Sequence, residues 1–222
     1  MNELTPLQKE TLDFFARSAL KGKFYWTGGT LLAVVYLQHR RSQDIDLFSD
    51  VSFSHEEIIG FVNDLKKHLK LEVIEEKKIY ERWEFFLHNG GEMRLEFVHY
   101  DHPSLKPRKE WSGISVDSLD DIAANKLMAM FDRNEPKDVF DIYFLLTKVG
   151  YSPQRLLELV AKKFGVHLDE SSIWSESFKG AKDLENLRPL MLEDESEQAK
   201  LLADIKAYFI NHSKKFLNRV LE

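Results

Sequence analysis

The apolar positions along this chain follow two different rhythms. Between residues 5 and 21, Leu7, Leu12, Phe15 and Leu20 lie on or near one face of a helix. Phe24, Tyr25 and Trp26 are strand formers and run directly into Gly28 and Gly29. Leu31 to Gln38 is apolar nearly all round, the pattern of a buried helix. Arg40 and Arg41 follow it, where positive charge suits a helix C-terminus. The alternation in "DIDLF" then predicts a strand over 44–48.

Ser54 and Glu57 have the spacing of a capping box, and the helix they open carries Ile58, Phe61, Val62, Leu65 and Leu69 on one face. Three strands are expected over about 71–77, 79–87 and 92–100, the last two joined by the hairpin signal "HNGG". After Pro103 and Pro107 the helical period takes over. Ser118 with Asp121 reads as a second capping box, Gly150 as a helix stop and Ser152-Pro153 as a restart. Leu201, Leu202, Ile205, Tyr208, Phe209 and Phe216 mark one face of a long helix over 196–220. The pattern gives an α/β half, residues 1–115, and a helical half, residues 116–222.

Composition narrows the chemistry. The 222 residues are 43% hydrophobic and 31% charged, an ordinary globular mixture. There is no cysteine, so disulfides, thiolate metal sites and a cysteine nucleophile are excluded. The net charge of -6 offers no bulk electrostatic grip on nucleic acid. The short basic runs "KPRKEW" (106–111) and "HSKKFLNR" (212–219) read as solvated surface. No apolar run approaches membrane-spanning length, and the N-terminus lacks a basic region followed by an apolar one. A cytoplasmic protein with no membrane partner is expected. The eight histidines are dispersed without an i,i+4 pair, and no G-x-S-x-G marks a serine hydrolase.

The chemistry concentrates in "FYWTGGTLLAVVYLQHRRSQDIDLFS", residues 24–49. Asp44 and Asp46 are two apart on a strand and therefore share a face. Like charges at that distance disfavour each other's ionisation, unless both sit at an exposed strand end or a divalent cation lies between them. Gly28, Gly29 and Thr30 stand between a strand and a helix. Glycines let backbone N–H groups approach an anion closely, a helix N-terminus favours one, and the threonine adds a hydroxyl. A tight capped turn would use the same residues. Together, the turn and the paired aspartates place phosphate donors and metal ligands at one end of one sheet.

With those residues in view, the segment resembles the nucleotidyltransferase-fold proteins of the AbiEii/AbiGii toxin family. Members read as an apolar strand, G-G-T, an apolar helix, then an arginine, a serine and D-h-D-h-F-S. Gly28, Gly29, Thr30, Arg41, Ser42, Asp44, Asp46, Phe48 and Ser49 take those places. A second block, residues 118–146, is similar to the family's helix with K-h-x-A, an arginine and [RK]-D-x-x-D-h-x-h-L. Lys126, Ala129, Arg133, Lys137, Asp138 and Asp141 match it. The two blocks cover about a quarter of the chain.

The resemblance implies an α+β fold: a nucleotidyltransferase-like mixed sheet with flanking helices, followed by a C-terminal helical half that completes a nucleotide cleft. It implies two or three carboxylates around Mg²⁺ or Mn²⁺, with Asp44 and Asp46 as metal ligands and Glu96 as the candidate third. Strand alternation puts Glu96 on one face with Arg94 and Val98, either beside the two aspartates or on a half-exposed polar face. The glycine turn, Gly28 to Thr30, would hold the triphosphate of an NTP, with Arg41 and Ser42 alongside. Arg41 is equally placed to act as a helix-terminus cation.

Lys126 sits in an apolar helix, where a lysine commonly reaches past apolar surface; the resemblance turns it toward phosphates. Asp138 and Asp141 are neighbours on one helical face. They would anchor Lys126 or Arg133 in an ion pair, orient that lysine for the reaction, or act as base for an acceptor hydroxyl. The implied activity is transfer of an NMP from an NTP to an acceptor, whether RNA such as a tRNA end, a protein or a small molecule. The family setting is the toxin of a type IV-like toxin–antitoxin or phage-defence system, with an antitoxin protein as partner. The alternative is a catalytically weak domain of the same fold that binds a nucleotide or a protein.

Overall fold

A computed structural model describes residues 3–71 and 73–221. It divides into two compact units at Leu119/Asp120.

The first unit is a mixed sheet. In order along the chain it contains α1 (Pro6–Ala16), β1 (Tyr25–Thr27), α2 (Gly28–Leu31), a π-helical segment (Leu32–Leu37), β2 (Ile45–Ser49) and α3 (His55–Leu69). Then come β3 (Val73–Ile79), β4 (Arg82–His88), β5 (Glu92–His99), β6 (Lys109–Trp111) and β7 (Ile114–Val116). The sheet order is β3-β4-β5-β2-β1-β7-β6. β2 runs parallel to β5 and antiparallel to β1, and β1 runs parallel to β7.

Residues directly paired across strands share a face. One face carries Trp26, Leu47, Phe97 and Phe85, all fully buried. Phe97 meets Phe24, Phe61 and Phe85 with ring centroids 5.2, 5.9 and 6.1 Å apart. Phe61 lies on α3 and also meets Phe15 of α1, so these two helices cover this apolar face. Asp46, Glu96 and Glu84 alternate with these residues and fall on the opposite face.

Local sequence signals account for much of this. Ser54 and Glu57 close the expected capping box at the start of α3. Three predictions shift. The helix expected over 5–21 ends at Ala16, because Ser18 accepts from the Leu20 amide and starts a separate 3₁₀ turn, Ala19–Gly22. The turn between β3 and β4 falls at Tyr80 and Glu81, with Tyr80 left-handed at φ 54°, so Lys78 and Ile79 belong to β3. The segment read as a buried helix over 31–38 is buried at Leu31, Leu32, Ala33 and Leu37 but winds as a π-helix, ending on left-handed Gln38.

The second unit is helical: α4 (Leu119–Asp132), α5 (Pro136–Thr147), α6 (Pro153–Phe164), α7 (Glu170–Gly180), a 3₁₀ stretch (Ala181–Leu190) and α8 (Glu195–Leu221). Pro153 starts α6 behind Ser152, whose hydroxyl caps the Arg155 amide. Asp121, read as half of a capping box, receives Lys163 Nζ at 2.8 Å in a fully buried ion pair joining α4 to α6.

Candidate active site

Strand register decides which carboxylates meet. Asp46 pairs with Thr27 of β1 on one side and with Glu96 of β5 on the other, and Glu96 pairs with Glu84 of β4. A row of Thr27, Asp46, Glu96 and Glu84 thus crosses the polar face of the sheet. Glu84 and Glu96 are buried, and two guanidinium groups compensate them. Arg82 lies 3.2 Å from Glu84 and 3.7 Å from Glu96. Arg94 lies 2.9 Å from Glu96 and 3.8 Å from Glu84. Arg94 also donates to Asp44 Oδ2 at 2.7 Å, which ties the residue just ahead of β2 to the same cluster. Burial and the neighbouring Asp46 carboxylate push the Glu96 carboxyl up to about 8, against the pull of Arg94 and Arg82. For Arg94, the carboxylates of Glu96, Asp44 and Asp46 outweigh burial and hold its pKa above the ordinary value.

The glycine turn closes on this row. Gly28 has φ +80°, and a Cβ built there would fall 1.7 Å from Asp46 Oδ2. Only glycine lets the chain turn this close to the carboxylate. Thr27 precedes the first helical turn but gives it no side-chain cap. Its hydroxyl instead donates to the buried Asp117 carboxylate at 2.8 Å. Thr30, expected among the phosphate donors, is fully buried. Its hydroxyl bonds Ser42 Oγ at 2.8 Å and the Asp44 carbonyl, pinning the stretch that leads into β2. Ser42 is therefore held by Thr30. Arg41 is exposed, while Arg40 is buried and donates to the Arg41 carbonyl at 3.0 Å. Arg40, two residues before Ser42, is the more enclosed cation of the pair; the sequence marked it only as a helix-terminus charge.

In the helical unit, Lys126 Nζ lies 2.8 Å from Asp141 and 3.2 Å from Asp138. Arg133 grips both oxygens of Asp138 at 2.8 and 3.0 Å. Both aspartates are fully buried. Burial would raise the Asp138 carboxyl, but Lys126 and Arg133 outweigh it and hold it below the usual carboxylate range. Lys137, also in the second block, pairs instead with Glu135 at 2.8 Å.

The donor chemistry of Asp44 and Asp46 suits a hard divalent cation: Asp44 is tied to the cluster through Arg94, and Asp46 is packed on a glycine turn. Among the described residues no three acid or histidine side chains converge as a metal-ligand group. Glu96 sits beside Asp46 but is turned to Arg94 and Arg82. The residues present thus fit a two-carboxylate site better than a three-carboxylate one. Among the described residues no helix is long and apolar enough to cross a membrane.

Comparison with known proteins bears on the whole chain. The family model described as "Nucleotidyl transferase AbiEii toxin, Type IV TA system" matches residues 12–217. An uncharacterised protein of Aquifex aeolicus is 31% identical over 168 residues, covering 74% of this chain and 77% of that protein. The crystal structure of JHP933 from Helicobacter pylori superposes with a TM-score of 0.60 at 20% identity, covering 97% of this chain and 95% of that one. MenT4, a nucleotidyltransferase toxin from Mycobacterium tuberculosis H37Rv, superposes with a TM-score of 0.53 at 12% identity, covering 91% and 81%. At those identities the two structures share a fold with this chain.

Proposed function

The chain belongs to the AbiEii nucleotidyltransferase toxin family, and on that premise we propose that it moves an NMP from an NTP to an acceptor hydroxyl and releases pyrophosphate. Asp44 and Asp46 hold Mg²⁺ or Mn²⁺, and the turn from Gly28 to Thr30 faces the triphosphate. The observation that carries this reading is the contact of Gly28 with the Asp46 carboxylate. It sets the start of a helical segment against Asp46, which supports N–H groups and a cation acting on the same phosphates.

When bound, the metal would neutralise charge on the phosphate oxygens of the transferred group and the leaving group. The chain's own residues do the positioning. Thr30 and Ser42 fix the approach to β2, and with it Asp44. Glu96 stands next to Asp46 with its carboxyl group directed to Arg94 and Arg82. Asp138 and Asp141 hold the Lys126 ammonium in one place, which supports an orienting role for them. Arg41 and Ser42 flank the Asp44 segment; of the two, the exposed Arg41 is the one placed to meet a phosphate. The acceptor oxygen bonds to the α-phosphorus as the bond to pyrophosphate breaks, and the hydroxyl proton leaves to water. The family setting supports a toxin role, with an antitoxin protein as partner and RNA, tRNA ends included, as the first acceptor to test.

Each α-labelled NTP is incubated with the protein, Mg²⁺ and a tRNA pool. Label transfer and pyrophosphate release are expected from the parent and from neither Asp44→Ala nor Asp46→Ala. Transfer undiminished in the double variant would sink the site assignment.

A further inference from the structure

The gap between Asp44 and Glu96 is already bridged by a positive charge of the chain itself. Arg94 Nη2 lies 2.7 Å from Asp44 Oδ2 and 2.9 Å from Glu96 Oε1, so one nitrogen spans both carboxylates. Its other terminal nitrogen lies 3.8 Å from Glu84 Oε1. Arg94 pairs with Phe86 of β4, one row from Glu96 and Glu84. Arg82 occupies the far side of the same two glutamates. Every acid of the row beyond Asp46 therefore has an arginine against it.

That arrangement bears on how many metal ions the site can take. In a two-metal site the ions sit roughly 3.5–4 Å apart and clamp the attacking and leaving oxygens from both sides. Both then need carboxylate oxygens. An oxygen accepting a short, charge-assisted bond from a guanidinium is not offered to a second ion. A guanidinium also cannot shed its proton to relieve the repulsion, as a lysine ammonium can when a cation approaches. Its planar fork matches the two carboxylates it joins.

We infer that Arg94 takes the position of a second cation, so that the site accepts one divalent metal ion, at Asp44 and Asp46, and not two. The inference rests on the metal reading proposed above. It makes Arg94 a positioning residue: it orders Asp44 and Glu96, and it sets the charge that an incoming ion meets. Removing its charge would strip Asp44, Glu96 and Glu84 of the guanidinium they share, a field that favours a further cation.

The test is the stoichiometry and affinity of Mn²⁺ binding to the full chain, by calorimetry and by electron paramagnetic resonance. The parent, R94Q, R94K and D44N/D46N are compared, each checked for folding by circular dichroism. The parent is expected to bind one Mn²⁺, lost in D44N/D46N. R94Q should gain a second Mn²⁺ or bind the first at least about tenfold tighter, and R94K, whose ammonium can give up its proton to an incoming ion, should fall between R94Q and the parent. Two Mn²⁺ bound by the parent, both lost in D44N/D46N, would overturn the role of Arg94 while leaving the metal reading intact. So would an R94Q protein with unchanged stoichiometry and affinity. Should R94Q fail to fold, the parent's stoichiometry still decides. No Mn²⁺ in any variant, or binding indifferent to D44N/D46N, would defeat the metal reading itself and the inference with it.

Discussion

The Asp46 carboxylate occupies the space that a side chain on residue 28 would need. A Cβ on Gly28 would fall 1.7 Å from Oδ2 and 2.5 Å from the carboxyl carbon, at a backbone φ of +80°. Gly28→Ala must therefore strain the backbone and displace the carboxylate together. The backbone strain costs about 1–3 kcal/mol, and a carboxylate moved by about 1 Å costs about 100-fold in rate. Gly22→Ala is the matched control, because nothing lies within 4 Å of a Cβ there. Label transfer and melting temperature are measured on both. A G28A protein as active as G22A would show that Asp46 is not where the reaction happens.

Lys126 is the second place where one side chain answers for others. Its ammonium lies 2.8 Å from Asp141 and 3.2 Å from Asp138, and all three groups are buried. Lys126→Met removes that charge and keeps the apolar stem. Breaking a buried ion pair from one side costs about 3–5 kcal/mol, because the remaining charge stays in a poorly solvated place. Urea unfolding of K126M should show that loss, together with loss of label transfer. Stability equal to the parent would mean that Asp138 and Asp141 do not depend on this lysine.

Asp138 gives the acid limb of the stability profile. Its folded pKa lies below the ordinary carboxylate value: burial raises it, but Lys126 and Arg133 more than compensate. In the unfolded chain an aspartate titrates at about 3.9. Between the two values the unfolded state binds more protons, so stability rises with pH through that window. The contribution is fully present above the unfolded value and is lost as pH falls through the folded one. Melting temperatures are compared from about pH 3 to pH 6. Asp138→Asn should be less stable than the parent near neutrality and should fall less steeply on acidification. Equal slopes in the two proteins would contradict the ion-pair account.

These contacts differ in how far they were legible in the sequence. "SHEE", "HNGG" and "DIDLF" are local signals, and the structure uses each where it stands. The paired aspartates and the glycine turn were readable for the same reason, since strand–turn–helix–strand places them within about twenty residues. The short hairpin of β6 and β7 was overlooked, although Ser112 and Gly113 both have positive φ, as a two-residue hairpin turn demands. A basic run that includes β6, "KPRKEW", drew attention to charge instead of to alternation. Glu84 and the bridging role of Arg94 were not readable at all. Their meeting depends on the registers of β2, β5 and β4, which are set by the whole apolar face and not by neighbours in the chain. Asp117 is similar: it reaches Thr27 only because β7 lies beside β1.

Thr30 separates two roles that the glycine turn could combine. If its hydroxyl serves phosphate, removing it should weaken NTP binding and leave the fold alone. In the structure the hydroxyl is fully buried and joins Ser42 Oγ to the Asp44 carbonyl, which is a positioning role. Thr30→Val keeps the shape and deletes the hydrogen bonds to the half-buried Ser42 and Asp44, a loss of about 1 kcal/mol for each bond. Thr30→Ser keeps the hydroxyl and loses one methyl, for about 1 kcal/mol. T30V is therefore expected to melt lower than T30S and to lose kcat, because Asp44 is no longer held at the mouth of β2. T30S should retain most of the rate. A T30V protein with parental stability and kcat but a raised KM for NTP would return the hydroxyl to the phosphates.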